Sequence, residues 1–225
     1  VNGAIVLSDA PVTLIGGGVT GPEDLALARA HAPRLVAADG GGDSALAAGC
    51  RPEAVIGDMD SLSPAGRDAL AEVLHPVSEQ ETTDFDKALC AIDAPLVLAV
   101  GMTGGRIDHD LAAFNVLVRR AARRCVVIGA ESLVFLAPPV LELDVPVGSL
   151  VSLFPMGPVT GRSEGLEWPI DGLGFAPWGR SGTSNAASGP VRLEFSDPRM
   201  LVILPREALA DVVEALGAQG SGWPG

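Results

Sequence analysis

The 225-residue chain is 48% hydrophobic and sets 15 Lys+Arg against 28 Asp+Glu, a formal net charge of −13. That much apolar material supports one large or two small packed domains and excludes disorder throughout, and the acidic balance argues against a nucleic-acid partner, because neutralising phosphates takes clustered Lys and Arg. No apolar run approaches the roughly 20 residues of a membrane-crossing helix and no basic-plus-apolar leader opens the chain. Cys50, Cys90 and Cys125 are far apart, odd in number and set in apolar surroundings. A soluble, cytoplasmic protein with buried, reduced thiols and no membrane partner is expected.

Taken in order, Val12-Thr13-Leu14-Ile15 is a β-rich run ending in Gly16-Gly17-Gly18, and a helix is expected to open near Pro22-Glu23-Asp24 and run to His31. Leu35-Val36-Ala37-Ala38 makes a second strand, closed by Asp39-Gly40-Gly41-Gly42, with a helix of small residues to Gly49. Ala54-Val55-Ile56 leads into Gly57-Asp58-Met59-Asp60-Ser61, after which residues 64–74 and 83–92 read as helices. Leu96-Val97-Leu98-Ala99-Val100 is a continuous apolar strand of the kind buried on both faces. It ends in Gly104-Gly105-Arg106-Ile107-Asp108-His109-Asp110, followed by a helix over 111–124 and a strand at Val126-Val127-Ile128. This alternation predicts an α/β fold: an open, mostly parallel sheet with helices on both faces, Rossmann-like, whose ligands bind beyond the carboxyl ends of the strands.

Near residue 136 the character changes. Pro138-Pro139 is followed by short β-like runs at 140–143, 149–154, 191–195 and 200–204, separated by Gly- and Pro-rich turns. A smaller all-β sandwich or barrel domain is expected over 136–225 after an α/β domain over 1–135, with a C-terminal helix over 206–216 and a Gly/Ser tail expected to be disordered.

Asp58 and Asp60 would diverge on a regular strand but can converge in a loop, and paired carboxylates of this kind suit Mg²⁺; a pair of solvated turn acids is the plainer alternative. Asp84 stands at a helix start with Thr83 or Thr82 as N-cap. Three residues on is Lys87, the chain's single lysine, a compact charge suited to phosphate oxygens. Asp86 is expected to face solvent. Gly104-Gly105-Arg106 joins backbone N–H groups open to an anion with a guanidinium, and Asp108 could reach a metal. His109 reads more readily as a helix-start group than as a base, and Asp110 as a first-turn acid. Gly16-Gly17-Gly18 suggests a phosphate-cradling turn without matching a known fingerprint, and Asp39-Gly40-Gly41 is either a ribose contact or a turn. In the second part, Trp168 could stack on a flat heterocycle while Ser184 and Asn185 bond its edge, against the alternative of a core Trp and a polar turn. Trp178 and Trp223 carry no motif.

As an ordered series, Ala38-Asp39-Gly40-Gly41, Gly57-Asp58-x-Asp60-Ser61, Gln80-x-x-Thr83-Asp84-Phe85-x-Lys87-Ala88, Gly104-Gly105-Arg106-x-Asp108-His109, Gly165-Leu166-x-Trp168 and Thr183-Ser184-Asn185 resemble the thiamine pyrophosphokinase family. Gly42 and Asp43 depart from that pattern, as does Met59. The resemblance implies Mg²⁺-dependent transfer of a pyrophosphoryl group from ATP to the hydroxyethyl alcohol of thiamine, giving thiamine diphosphate and AMP, by a homodimer sharing its vitamin site. It makes Asp58, Asp60, Asp84 and Asp108 the metal and catalytic carboxylates, with Lys87 and Arg106 on the transferred group. It assigns Asp39, Gly40, Gly41, Gln80, Thr83, Gly104 and Gly105 to ATP, and Trp168, Ser184 and Asn185 to thiamine. The competing readings are a pyrophosphokinase for another heterocyclic alcohol such as a hydroxymethylpterin, a non-catalytic vitamin- or nucleotide-binding module, and a metal-dependent phosphohydrolase.

Overall fold

A computed structural model describes residues 3–218 and 223–224. The chain is mixed α/β, with a large mixed sheet, a separate four-stranded antiparallel sheet and a two-stranded parallel pair. It divides into two compact units. The first runs through Val116 and regains Val127–Ala130; the second holds Leu117–Val126 and the chain from Glu131 onward.

The elements of the first part are β1 (Val6–Leu7), β2 (Val12–Ile15), α1 (Asp24–His31), β3 (Arg34–Ala38), α2 (Gly41–Ala47), β4 (Ala54–Gly57), α3 (Pro64–Ala69), β5 (Leu74–Pro76), α4 (Asp84–Ala91), β6 (Ile92–Asp93), β7 (Val97–Val100), α5 (Ile107–Arg119) and β8 (Cys125–Ile128). β7, β2, β3, β4 and β5 are successive parallel neighbours. β2, β4 and β7 are buried along their whole length, as expected of parallel strands read from unbroken apolar runs. The one polar side chain in β2, Thr13, is fully buried and donates its hydroxyl to the Ala32 carbonyl at 2.6 Å, so it leaves no unsatisfied group in the core.

From β2 the chain winds outward through β3, β4 and β5, then resumes on the opposite side of β2 with β7. The crevice where strand order reverses is the place such sheets offer a ligand. The loops that follow β2, β3, β4 and β7 are Gly16–Gly18, Asp39-Gly40, Asp58–Ser61 and the segment from Gly101.

The second part contains β9 (Ser132–Leu136), β10 (Val140–Leu143), β11 (Ser152–Pro155), β12 (Val159–Leu166), β13 (Gly174–Phe175), β14 (Ala187–Phe195), β15 (Met200–Pro205) and α6 (Leu209–Ala218). One antiparallel sheet has the order β10-β14-β12-β13, and β11, β15 and β9 pair antiparallel in turn. In β12 the register against β14 shifts between Glu164 and Leu166. Gly165 sits at that bulge with φ 71°, where a Cβ would lie 2.0 Å from the Pro190 carbonyl oxygen, so the site requires glycine for both dihedral and space.

Several elements differ from their sequence reading. The helix expected over 64–74 stops at Ala69, passes through a short 3₁₀ turn and becomes β5. The helix expected over 111–124 begins at Ile107 and ends at Arg119. Its start is early because the Arg106 carbonyl accepts the N–H groups of His109 and Asp110. Its terminal arginines are therefore partly beyond it, and Arg124 instead donates to the Leu216 carbonyl at 2.9 Å. β9 and β12 carry no expectation from sequence. Of the three cysteines, Cys125 is buried while Cys50 and Cys90 are half-buried. The tail expected to be disordered falls largely on 219–222 and 225, outside the described residues; the Trp223 indole donates to the Ala137 carbonyl at 2.7 Å.

Candidate active site

The end of β3 begins the site. Asp39 continues the ladder by donating its N–H to the Ile56 carbonyl at 3.0 Å, then turns with φ 41°, a conformation that only a few non-glycine residues adopt. Its side chain is 2% exposed. One oxygen, Oδ2, accepts the Ser61 N–H at 3.3 Å, while Oδ1 is buried without a hydrogen-bond partner. Burial pushes this carboxyl up to about 6, reinforced by the charges of Asp84 and Asp58.

The end of β4 brings the second group. At Gly57 a Cβ would sit 2.8 Å from the Asp39 Cβ and 3.0 Å from Asp84 Oδ1, so the absent side chain is what allows β3 and α4 to present carboxylates to one point. Asp58 follows, its Oδ2 accepting Lys87 Nζ at 3.0 Å and Gln80 Nε2 at 3.0 Å, and its Oδ1 the Asp60 N–H at 3.2 Å. The bond from Lys87 holds its carboxyl down at about 2. Met59 between the two acids has φ 69° and a buried side chain. That turn brings Asp58 and Asp60 together: Asp39, Asp58 and Asp60 each offer an oxygen, all within 4.8 Å of one another.

α4 supplies the counter-charge. Thr83 caps it by accepting the Asp86 N–H, so its first turn places Asp84 at the site and Lys87 one turn on. Lys87 is 4% exposed and bonds Asp58 and Asp84 at 3.0 Å each. Burial alone would lower the ammonium's pKa, but its two carboxylate partners outweigh that and raise it. Lys87 is thus an internal cation of the acidic cluster rather than a freely projecting group. Asp86, expected to face solvent, is 1% exposed, because this face of α4 packs inward and Asp86 accepts the Cys90 thiol at 3.5 Å.

A cavity of about 810 Å³ opens beside these groups, lined among others by Gly17, Asp39, Ser61, Asp84, Arg106 and His109. Gly40, Thr83 and Gly105 also line it, whereas Gly41 and Gly104 do not. Arg106 and Asp108 form an exposed ion pair, with Nε 3.1 Å from Oδ1; the bond from Arg106 lowers the Asp108 carboxyl and the partnership raises the guanidinium. Asp108 therefore stands with Arg106, apart from the three converging carboxylates. His109 is exposed, and Asp110 accepts the Gly104 N–H at 3.1 Å.

Two supports escaped the sequence reading. Asp43, seen only as a departure from a family pattern, accepts both the N–H and the hydroxyl of Ser63 at 2.7 Å, and Ser63 in turn caps α3. Arg67 donates to the Met59 and Leu62 carbonyls. A serine followed by Pro64 signalled the cap; nothing local signalled the arginine.

In the second unit, Asn185 is 5% exposed. Its amide nitrogen donates to the Trp168 carbonyl at 2.7 Å, while its oxygen accepts the N–H groups of Trp168 at 3.1 Å and Ala186 at 2.9 Å. Asn185 thus grips the backbone of Trp168, whose side chain is 57% exposed. Ser184 is exposed, has φ 63°, and donates its N–H to the Ser152 hydroxyl at 2.9 Å.

Residues 26–128 match the family model described as thiamin pyrophosphokinase, catalytic domain. A thiamine pyrophosphokinase 1 from Oryza sativa subsp. japonica is 29% identical over 155 residues, covering 60% of this chain and 59% of that protein. A thiamine pyrophosphokinase 2 from Arabidopsis thaliana is 28% identical over 174 residues, covering 67% and 64%. The chain thus spans about three fifths of the length of these plant relatives. Among solved structures, a thiamin pyrophosphokinase from Candida albicans superposes with a TM-score of 0.73 at 18% identity, covering 89% of this chain and 92% of that one. Another from Geobacillus thermodenitrificans gives 0.73 at 22%, covering 87% and 97%; at such identity these likenesses establish the fold. The family model over residues 26–128 and these relatives make the chain similar to thiamine pyrophosphokinases, and the solved structures share its fold.

Proposed function

We propose that this chain transfers the pyrophosphoryl group of ATP to the hydroxyethyl alcohol of thiamine. The observation that carries the reading is the convergence of Asp39, Asp58 and Asp60 beside a cavity of about 810 Å³ at the point where strand order reverses. The relatives' names supply the vitamin.

In this reaction the alcohol oxygen bonds to the β-phosphorus of ATP, the bond from that phosphorus to the α–β bridging oxygen breaks, and AMP leaves. The alcohol's proton passes to a carboxylate of the cluster. Such transfers depend on positioning and charge neutralisation more than on covalent catalysis. The donor set fits Mg²⁺: hard carboxylate oxygens, one of them, Asp39 Oδ1, buried with no other partner. Asp39, Asp58 and Asp60 would hold the ion, with Asp84 alongside, and it would supply positive charge to the phosphate oxygens. Lys87 keeps Asp58 ionised and the repelling carboxylates together. Arg106, beside Asp108 at the cavity wall, is placed to exchange that partner for a phosphate. Trp168, oriented by Asn185, offers an aromatic face to the vitamin, with Ser184 next to Asn185 in sequence.

We also infer the finer architecture that this reading entails. The strand order about β2 supports a doubly wound nucleotide-type sheet, and the four-stranded antiparallel sheet of the second unit, together with the antiparallel strands β11, β15 and β9 of the large mixed sheet, supports a sandwich or barrel. A homodimer with a shared vitamin site and a cytoplasmic location complete the proposal; no helix among the described residues is long and apolar enough to cross a membrane.

The test is AMP formation from ATP and Mg²⁺ with thiamine or a hydroxymethylpterin supplied separately. AMP formed with thiamine alone is expected. AMP only with the pterin would move the substrate, phosphate release without either alcohol would make the protein a hydrolase, and thiamine binding without AMP would make it a binding module.

A further inference from the structure

We propose that Arg67 is a positioning residue for the carboxylate cluster: by holding the Met59 and Leu62 carbonyls it fixes the turn that makes Asp58 and Asp60 converge. This rests on reading the cluster as a metal site.

Two aspartates separated by one residue point to opposite sides of extended backbone. They can share an ion only if the residue between them turns, and Met59 does so with φ 69°, a left-handed conformation disfavoured for a residue with a long side chain. Such a turn persists only when its surroundings over-determine it. The Met59 side chain is 3% exposed and packs into the core. On the backbone, the Arg67 guanidinium reaches from α3 to donate through Nη2 to the Met59 carbonyl and through Nε to the Leu62 carbonyl at 3.3 Å. One fork therefore spans the loop from the peptide between the two acids to the residue before the α3 cap.

These carbonyls are not the terminal carbonyls of α3, the helix that carries Arg67. Ordinary pairing of a last-turn arginine with its own helix end does not explain the contact. Inside the turn Asp58 Oδ1 accepts the Asp60 N–H at 3.2 Å and Asp60 Oδ1 the Ser61 hydroxyl at 2.9 Å, and beyond it Ser61 donates to Asp39 and Ser63 bonds Asp43; Arg67 adds the tie from the loop backbone to α3. Arg67 is not among the residues lining the cavity, so it acts through the loop and not on the substrate. Such outer supports of metal ligands govern affinity because they fix ligand orientation in advance.

Arg67→Met and Arg67→Lys should be compared with the parent protein for Mn²⁺ binding without nucleotide, followed by paramagnetic resonance, and for the Mg²⁺ dependence of AMP formation. Arg67→Met is expected to weaken Mn²⁺ binding about tenfold and to raise the Mg²⁺ needed for half-maximal rate similarly, with kcat largely recovered at saturating Mg²⁺. Arg67→Lys, which retains a donor but not the fork, should fall between; it is the informative variant if Arg67→Met does not fold. Parent-like Mn²⁺ affinity in a folded variant, even with a lowered Tm, overturns the proposal, since that is what a merely structural arginine would give. A parent protein that binds no Mn²⁺ would remove the metal-site reading itself, and this inference with it.

Discussion

In the first unit Asp58, Asp84 and Lys87 are held largely by one another, charge against charge, while Asp39 beside them accepts only the Ser61 N–H and leaves one carboxylate oxygen unpartnered in the interior. In the second, Trp168 is neutral and exposed, and a single buried amide, Asn185, holds its backbone from both sides. The acidic region carries its cost in the free protein, as unsatisfied and mutually repelling groups that a cation would relieve. The aromatic region carries almost none, since every bond Asn185 makes there is an ordinary neutral one. That contrast separates a place prepared for charge development from one prepared for shape and stacking. Substitutions in the first should therefore act on turnover, and those in the second on substrate affinity.

The largest effect is expected at Asp58 and Asp84. Asp58→Asn or Asp84→Asn should lower kcat about 100-fold or more, because each takes a full charge from groups that must be fixed before reaction. Circular dichroism should show the fold retained. Lys87 keeps one carboxylate in each variant, so an ammonium buried without any counter-charge does not arise. Turnover near the parent's in both variants would break the first half of the comparison.

A smaller effect is expected at Asn185. In Asn185→Ala three backbone partners lose their bonds, and the Trp168 backbone is free to shift. The KM for thiamine should rise about tenfold, the equivalent of roughly 1.4 kcal/mol of lost orientation, while kcat at saturating thiamine stays close to the parent value. A fall in kcat with unchanged KM would show that the second region is not the separate binding element its chemistry indicates.

The sequence carried the α/β alternation of the first part because its buried strands are unbroken apolar runs, and period and composition register directly in the chain. It carried less of the second part. β12, with its alternating small and charged residues and a glycine bulge, has the composition of a loop, and β9 follows the preceding strand too closely to stand out. At the site, Asp58, Asp60, Asp84 and Lys87 were legible as residue types. Their geometry was not: Lys87 reads as a phosphate ligand until α4 is seen to bury it between two carboxylates, and Asp86 reads as exposed until that same face is seen to pack inward. Asp39 was noticed for a nucleotide contact, and only the approach of β3 to Gly57 makes it a member of the carboxylate group. Arg67 was invisible because its bonds go to backbone carbonyls of the preceding loop, and hydrogen bonds to backbone leave no motif.

The smallest effect follows from the unpartnered oxygen. In the folded protein Asp39 titrates at about 6 instead of 3.8, so its ionised form weakens the fold. The contribution of its neutral form is complete below pH 3.8, drains away as pH rises to about 6, and is absent above. Asp58, held at about 2, works in the opposite sense, stabilising above pH 3.8 and losing that contribution as pH falls toward 2. Asp39→Asn removes the first of these and leaves in place the Lys87 and Gln80 bonds that hold Asp58 down. With divalent ions chelated, urea unfolding should show the variant more stable than the parent at pH 8 by on the order of 1–2 kcal/mol. The difference should hold down to about pH 6, shrink below it and close near pH 4, as the parent regains the contribution of neutral Asp39. Equal stability at pH 8 would mean that Asp39 bears no burial cost, and the distinction drawn between a strained acidic region and a relaxed aromatic one would lose its energetic basis.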